Sequence, residues 1–256
     1  MSARRTVLVG NWKMNKSVDE TEQFIRALRT VTDGLPNVDL VLAPPFMDLP
    51  AACHALAGST IGLAAQNMHW QSSGAFTGEV SGKMLRDAGC THVIVAHSER
   101  RQYFGETNET AGRKLVAAHA HDLMPIYCVG ETLAQREEEL TSATIRTQVR
   151  EGLASLSKDQ MRETILAYEP IWAIGSGRTA SPEQAQQVHG LLRDTLIDMY
   201  GADVAAAVRI QYGGSVKPDN LELLIAQPDI DGAVVGGSSL DAAAFGQMAA
   251  IVNRVG

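Results

Sequence analysis

Short apolar runs rich in β-branched residues recur along the chain, separated by longer segments with a helical period. The runs are Thr6–Gly10, Val38–Ala43, Thr60–Ala65, His92–Ala96, Pro125–Val129, Glu163–Tyr168, Ala207–Tyr212 and Asp231–Gly236. They are apolar on both faces, as parallel strands covered by helices should be. In the first intervening segment Val18, Thr21, Ile25, Leu28 and Val31 share one helical face. Ser17-Val18-Asp19-Glu20 predicts a capping box at its start, and Gly34 marks its end. Ser181-Pro182-Glu183-Gln184 opens a later helix in the same way, with Pro182 in the first turn and Leu191, Leu192 and Leu196 on its apolar face.

Eight strand–helix units in 256 residues leave roughly 32 residues for each, the size of one βα step. The expected fold class is therefore α/β, a closed (β/α)8 barrel of eight parallel strands rather than an open doubly wound sheet. No linker, low-complexity stretch or charged tail interrupts the pattern, so residues 1–256 read as a single barrel domain.

Composition narrows the function classes. Hydrophobic residues make up 45% and charged residues 20%, which fits a soluble globular chain and argues against disorder. The formal charge of −7 disfavours nucleic acid as a partner and requires a local basic site for any anionic substrate. No apolar run approaches the roughly 18 residues that a membrane span needs. The opening Met1-Ser2-Ala3-Arg4-Arg5 carries two arginines, but Thr6–Gly10 is too short for a signal-peptide core. Cys53, Cys90 and Cys128 are odd in number, widely spaced and without C-x-x-C, which fits reduced thiols in a cytoplasm.

Candidate chemistry lies at strand C-termini, where barrels of this class carry their sites. The segments there are Gly10-Asn11-Trp12-Lys13-Met14-Asn15, Ala96-His97-Ser98-Glu99-Arg100-Arg101, Ala167–Gly177, Tyr212-Gly213-Gly214-Ser215-Val216 and Val235-Gly236-Gly237-Ser238-Ser239-Leu240. They bring one lysine, one histidine and one glutamate to three strand ends, and put glycine-rich turns after the last two strands, where a phosphate is commonly held. With Phe104-Gly105-Glu106 and Gly74–Glu79 added, these ordered motifs closely resemble the triosephosphate isomerase family from about Val7 to Leu240.

That resemblance implies interconversion of dihydroxyacetone phosphate and glyceraldehyde 3-phosphate through an enediol(ate), in glycolysis and gluconeogenesis, with no cofactor and no metal. Glu169 matches the family's base and His97 its electrophile. Lys13 matches its essential cation, and Asn11 is expected to donate to a substrate oxygen. A base over the carbon and donors on the carbonyl oxygen are what abstraction of a carbon-bound proton requires. Ser98–Arg101 reads as a helix start whose dipole should keep His97 neutral. Pro170–Ala180 matches a mobile lid containing Trp172, Ile174, Gly175, Ser176 and Gly177, and Ser215, Gly236 and Gly237 match a phosphate cradle built on backbone N–H groups at helix N-termini. Glu99 is expected to support Lys13 or His97, and Cys128 to be a buried inert thiol near the site.

The family pattern is not kept everywhere. Ala96 stands for the usual glycine, Ile171 for valine, Ser176 for threonine, Arg178 for lysine and Ser238 for alanine. The resemblance further implies a homodimer through the loop around Trp70–Glu79, where Met68, Trp70 and Phe76 suggest an apolar interface and Arg100 a partner for Glu79. The stretch Gly175–Ala180 fits G-x-G-x-x-A, but it does not join a strand directly to a helix, because the helix begins only after Ser181, so a nucleotide fingerprint is rejected. His119-Ala120-His121 points its rings apart on a helix and is no metal pair. The competing readings are an isomerase or epimerase of a larger sugar phosphate, which would need more polar contacts, and a non-catalytic scaffold on the same fold.

Overall fold

Eight parallel strands close into one barrel in chain order, β1 pairing with β8 from Val7–Gly232 to Gly10–Val235. The computed structural model describes residues 4–175 and 178–255. Ser176 and Gly177, assigned above to the lid, lie outside the described residues, as do Met1, Ser2 and Ala3. The strands are β1 (Thr6–Asn11), β2 (Val38–Ala43), β3 (Gly62–Ala65), β4 (His92–Val95), β5 (Met124–Val129), β6 (Ile165–Tyr168), β7 (Ile210–Tyr212) and β8 (Gly232–Val235). All eight expected runs are strands. Five of them are shorter than the apolar pattern, most by a late start, because the residues that lead into β3, β6, β7 and β8 lie before the ladder begins.

Alternation within each strand builds two cores. Val7, Val9, Val41, Ala43, Ala64, Ile94, Ile126, Cys128, Ile165, Ala167 and Val234 fill the barrel, so it is a packed interior and not a pore. The intervening Leu8, Leu42, Leu63, Val93, Tyr127, Leu166 and Tyr168 face the helices and join the larger outer core. Two buried faces are why the sequence runs are apolar throughout rather than alternating.

The covering helices are α1 (Val18–Thr32), α2 (Leu49–Ala55), α3 (Gly82–Asp87), α4 (Ser98–Phe104), α5 (Asn108–Ala120), α6 (Leu133–Glu137), α7 (Thr141–Leu153), α8 (Lys158–Arg162), α9 (Pro182–Tyr200), α10 (Ala202–Ala207), α11 (Pro218–Ile225) and α12 (Ala242–Val255). Both expected capping boxes are present, Ser17 with Glu20 and Ser181 with Gln184. The face of α1 is rotated from the sequence reading. Thr21, Phe24, Ile25, Leu28 and Thr32 are buried, whereas Val18 and Val31 are exposed at its ends, where the helix has run past the barrel wall. In α9, Leu192 and Leu196 are buried and Leu191 partly so.

On α9 the fold also holds a histidine that must stay neutral. His189 is fully buried, its Nδ1 lies 3.0 Å from the Asp229 carbonyl, and its Nε2 has no partner. Burial pushes the ring down to about 4. A folded pKa below the unfolded value means that the unfolded chain binds the proton more readily, so this contribution to stability is complete above about pH 6.5 and is lost as pH falls toward 4. The expected loss is on the order of 3 kcal/mol across that window. Urea unfolding at pH 7 and pH 4.5 tests it: the drop in midpoint should be smaller for His189→Gln than for the parent, and equal drops contradict the assignment.

Candidate active site

The barrel places Asn11 at the end of β1, His97 just past β4 and Glu169 just past β6, and all three face one cavity of about 400 Å³. The same cavity is lined by Lys13, Glu99, Ile174, Gly175, Ser215, Gly236 and Gly237. Every candidate site residue except Cys128 therefore reaches it. Cys128 sits on the inward face of β5, fully buried, with its thiol raised well above the ordinary value by burial first and by the charge of Glu169 next.

Glu169 is almost wholly buried. Its Oε2 accepts the Ser98 N–H at 2.8 Å, and its Oε1 lies 3.0 Å from His97 Nε2 without an aligned hydrogen bond. Burial alone would raise the carboxyl, but His97 and the Ser98 N–H hold it below the usual range. Gly213 makes room for it, since a Cβ there would fall 2.9 Å from Glu169 Cγ.

His97 is the N-cap of α4, and its Nδ1 accepts the Glu99 N–H at 3.3 Å. That bond leaves the hydrogen of the neutral ring on Nε2, which faces the cavity. Burial favours the neutral ring, yet the Glu169 carboxylate, aided by Glu99, draws His97 above its ordinary value in the empty site. The helix end is thus not the only influence on the ring, as the sequence reading had it. The facing carboxylate opposes it, and only the folded chain brings that carboxylate within reach.

Lys13 Nζ lies 2.6 Å from Glu99 Oε1. Its backbone is left-handed (φ +53°), and its carbonyl accepts Gln66 Nε2 at 2.8 Å. It does not stand alone, because Lys217 also lines the cavity. Ala96 is left-handed too (φ +61°), which accounts for the glycine usual at that position. Two partners hold the strained alanine in place: Glu106 Oε1 accepts its N–H at 2.9 Å, and Arg101 Nε donates to its carbonyl at 3.0 Å.

The phosphate-side turns differ in detail from expectation. Gly237–Leu240 is a 3₁₀ turn, and α11 begins three residues beyond Ser215, so the cradle is a pair of loops rather than two α-helix ends. Ser238 Oγ donates to the Val216 carbonyl at 3.1 Å and ties the two turns together, a link the usual alanine lacks. Gly175 is left-handed (φ +66°). Trp172 is already seated: its Nε1 donates to Glu131 Oε1 at 2.9 Å, and its ring lies under Arg136. Tyr168 shares that same oxygen at 3.0 Å.

Sequence reasoning gave no role to Glu106, Gln66 or the Ser98 N–H. Glu106 is buried and also takes Arg100 at 3.0 Å and Lys114 at 2.9 Å. Glu106 stood inside a quoted motif, and Gln66 directly follows β3. A polar residue at a strand end was the available signal for Gln66, and the motif itself was the signal for Glu106. Met68, expected in an exposed apolar loop, is fully buried. Among the described residues no group of three or more His, Cys, Asp or Glu could hold a metal ion, and no helix is long and apolar enough to cross a membrane.

Comparison with known proteins agrees with this geometry. A family model described as triosephosphate isomerase matches residues 6–252. A triosephosphate isomerase of Moorella thermoacetica is 53% identical over 250 residues, covering 98% of each chain. Those of Acetivibrio thermocellus and Chloroflexus aurantiacus are each 52% identical, over 93% and 94% of this chain and 94% and 97% of their own. With its barrel, its strand-end residues and its near-full-length relatives in agreement, the chain belongs to the triosephosphate isomerase family.

Proposed function

We propose that the enzyme interconverts dihydroxyacetone phosphate and D-glyceraldehyde 3-phosphate through an enediolate, with Glu169 as base and His97 as electrophile. The observation that carries this reading is the buried carboxylate facing His97 across the cavity that Lys13 and the glycine turns line. A proton on a carbon beside a carbonyl is weakly acidic, so the base must be desolvated and the developing oxyanion stabilised at once. Glu169 meets the first need through burial. His97 meets the second, because its Nε2–H is the ring donor aimed at the cavity. Carbonyl oxygen bound at Nε2 takes the place of the carboxylate there. Glu169 then exchanges its bond to the Ser98 N–H for a position over the carbon, removes the proton and returns it to the neighbouring carbon, while the hydroxyl proton passes to the former carbonyl oxygen by way of the His97 Nε2–H.

Lys13 and Asn11 pair with the phosphate and the oxyanion, and Ser215, Gly236, Gly237 and Gly175 close around the phosphate. Glu99, 2.6 Å from Lys13, fixes the ammonium until substrate arrives. The cavity suits a three-carbon phosphate, and residues 1–256 act as a single catalytic barrel. Three free thiols favour a cytoplasmic enzyme. Turnover of glyceraldehyde 3-phosphate without added metal or cofactor tests the function; an inactive protein overturns it and directs attention to larger sugar phosphates.

The working form is a homodimer. A second cavity of about 220 Å³ shares Asn11, Lys13, His97 and Glu99 with the first and is walled by Met14, Phe46 and Phe104. Met14 is 95% exposed, Met47 83% and Phe104 67%, more apolar surface in one region than a monomer ordinarily shows. The Trp70–Glu79 loop of a second copy is the expected cover. Its rings stack on His69 at 4.3 Å from Trp70 and 4.2 Å from Phe76, so it is presented as a firm projection. Light scattering at micromolar concentration should give twice the chain mass, and a monomer mass contradicts the assembly.

A further inference from the structure

Two of the three cysteines flank one glycine away from the catalytic cavity. Cys53 lies on the exposed side of α2, and its sulfur rests against Gly89 so closely that a Cβ there would stand 2.2 Å from Sγ. Gly89 is left-handed (φ +88°), so both its backbone and its missing side chain make room for that thiol. The next residue is Cys90, buried ahead of β4. Adjacent Cα atoms are about 3.8 Å apart, so the Cys53 sulfur rests against the residue that directly precedes Cys90. The two thiols also feel each other electrostatically. Cys90 is pushed up to about 12, by burial first and by Cys53 next, while Arg86, whose Nη1 donates to the Cys90 carbonyl at 2.8 Å, favours its thiolate. Cys128 is sealed inside the barrel and shares no part of this arrangement.

We propose that Cys53 and Cys90 form a reversible intramolecular disulfide when the protein meets a small-molecule disulfide oxidant. The exposed Cys53 thiolate attacks one sulfur of the oxidant, forming a mixed disulfide and releasing one small thiolate. Cys90, passing its proton to the small thiolate already released, then attacks Cys53 Sγ and expels the second small thiolate. Two protein thiols become one S–S bond, the oxidant is reduced to two small thiols, and these take up the two protons. The bond ties α2 to the entry of β4 and closes a loop of 37 residues, the separation of the two cysteines.

Incubation of the whole protein with oxidised glutathione, read by intact mass and thiol titration, tests this. The expected product has lost two of its three thiols, is lighter by two hydrogens, carries no adduct and returns to the parent mass with dithiothreitol. Its thermal midpoint should rise by about 5 °C, since closing a loop of this length restricts the unfolded chain. Cys53→Ser should retain all its remaining thiols, and Cys90→Ala should stop at the glutathione adduct on Cys53. A stable adduct on the parent protein, a disulfide-linked dimer on a non-reducing gel, or three thiols unchanged each overturns the proposal. None of these readouts depends on Cys90→Ala folding.

Discussion

The Glu169→Asp variant should turn over both triose phosphates at least about a hundred times more slowly than the parent, since positioned base catalysis contributes roughly 10²–10⁴. The substitution keeps the carboxylate but shortens its reach by one methylene. Glu169 is held by the Ser98 N–H at one end and by the close approach of Gly213 at its Cγ, so the backbone cannot follow the shortened side chain. The loss should fall on kcat, with KM little changed, because the glycine turns proposed to hold the phosphate line another part of the cavity. Steady-state kinetics in both directions provide the check. A variant within about fivefold of the parent would remove Glu169 from the role of base, given the size of effect that misplacing a general base has.

The second large effect is expected at Lys13. Lys13→Ala should lower kcat/KM by about two to three orders of magnitude, since truncating the cation of the proposed Lys13–phosphate pair, once substrate seals the site, costs roughly 2–5 kcal/mol. Two consequences act together. On the proposed reading the phosphate loses a cation in a chain of net charge −7, and Glu99 is left without the ammonium 2.6 Å from it. Lys217, more exposed at the cavity rim, is in place to hold only part of the phosphate charge. KM should rise and kcat should fall if the ammonium serves both phosphate and enediolate, as proposed. A KM effect alone would restrict Lys13 to binding. A Lys13→Ala, Glu99→Gln double variant should recover part of the loss if the orphaned carboxylate contributes to it.

Much of the fold was legible because the barrel's own repetition wrote it into the chain. Eight apolar runs at regular spacing admit few other closures, and caps such as Ser17 with Glu20 depend only on residues three apart. The same locality explains where the reading slipped. Val18 and Val31 carry the right period for the face of α1 but sit at its ends, and whether a helix end lies over the barrel wall is not a local property. Met68 looked like an exposed loop residue, and its burial depends on segments distant in sequence.

The sequence by itself determined the strand–helix alternation, the helix starts and the short motifs that carry Asn11, Lys13, His97 and Glu169 to strand ends, because each of these follows from nearest neighbours along the chain. Only the tertiary structure decided what those residues do to one another. Glu169 and His97 are 72 positions apart in the chain and meet at 3.0 Å, where each shifts the other's proton affinity against the pull of burial. Glu106 holds Ala96 in a left-handed turn, and Cys53 comes to rest against Gly89, through packing of elements that no periodicity links. Electrostatics and close contact act through space over a few ångströms, and chain closure alone fixes which distant residues come within that range.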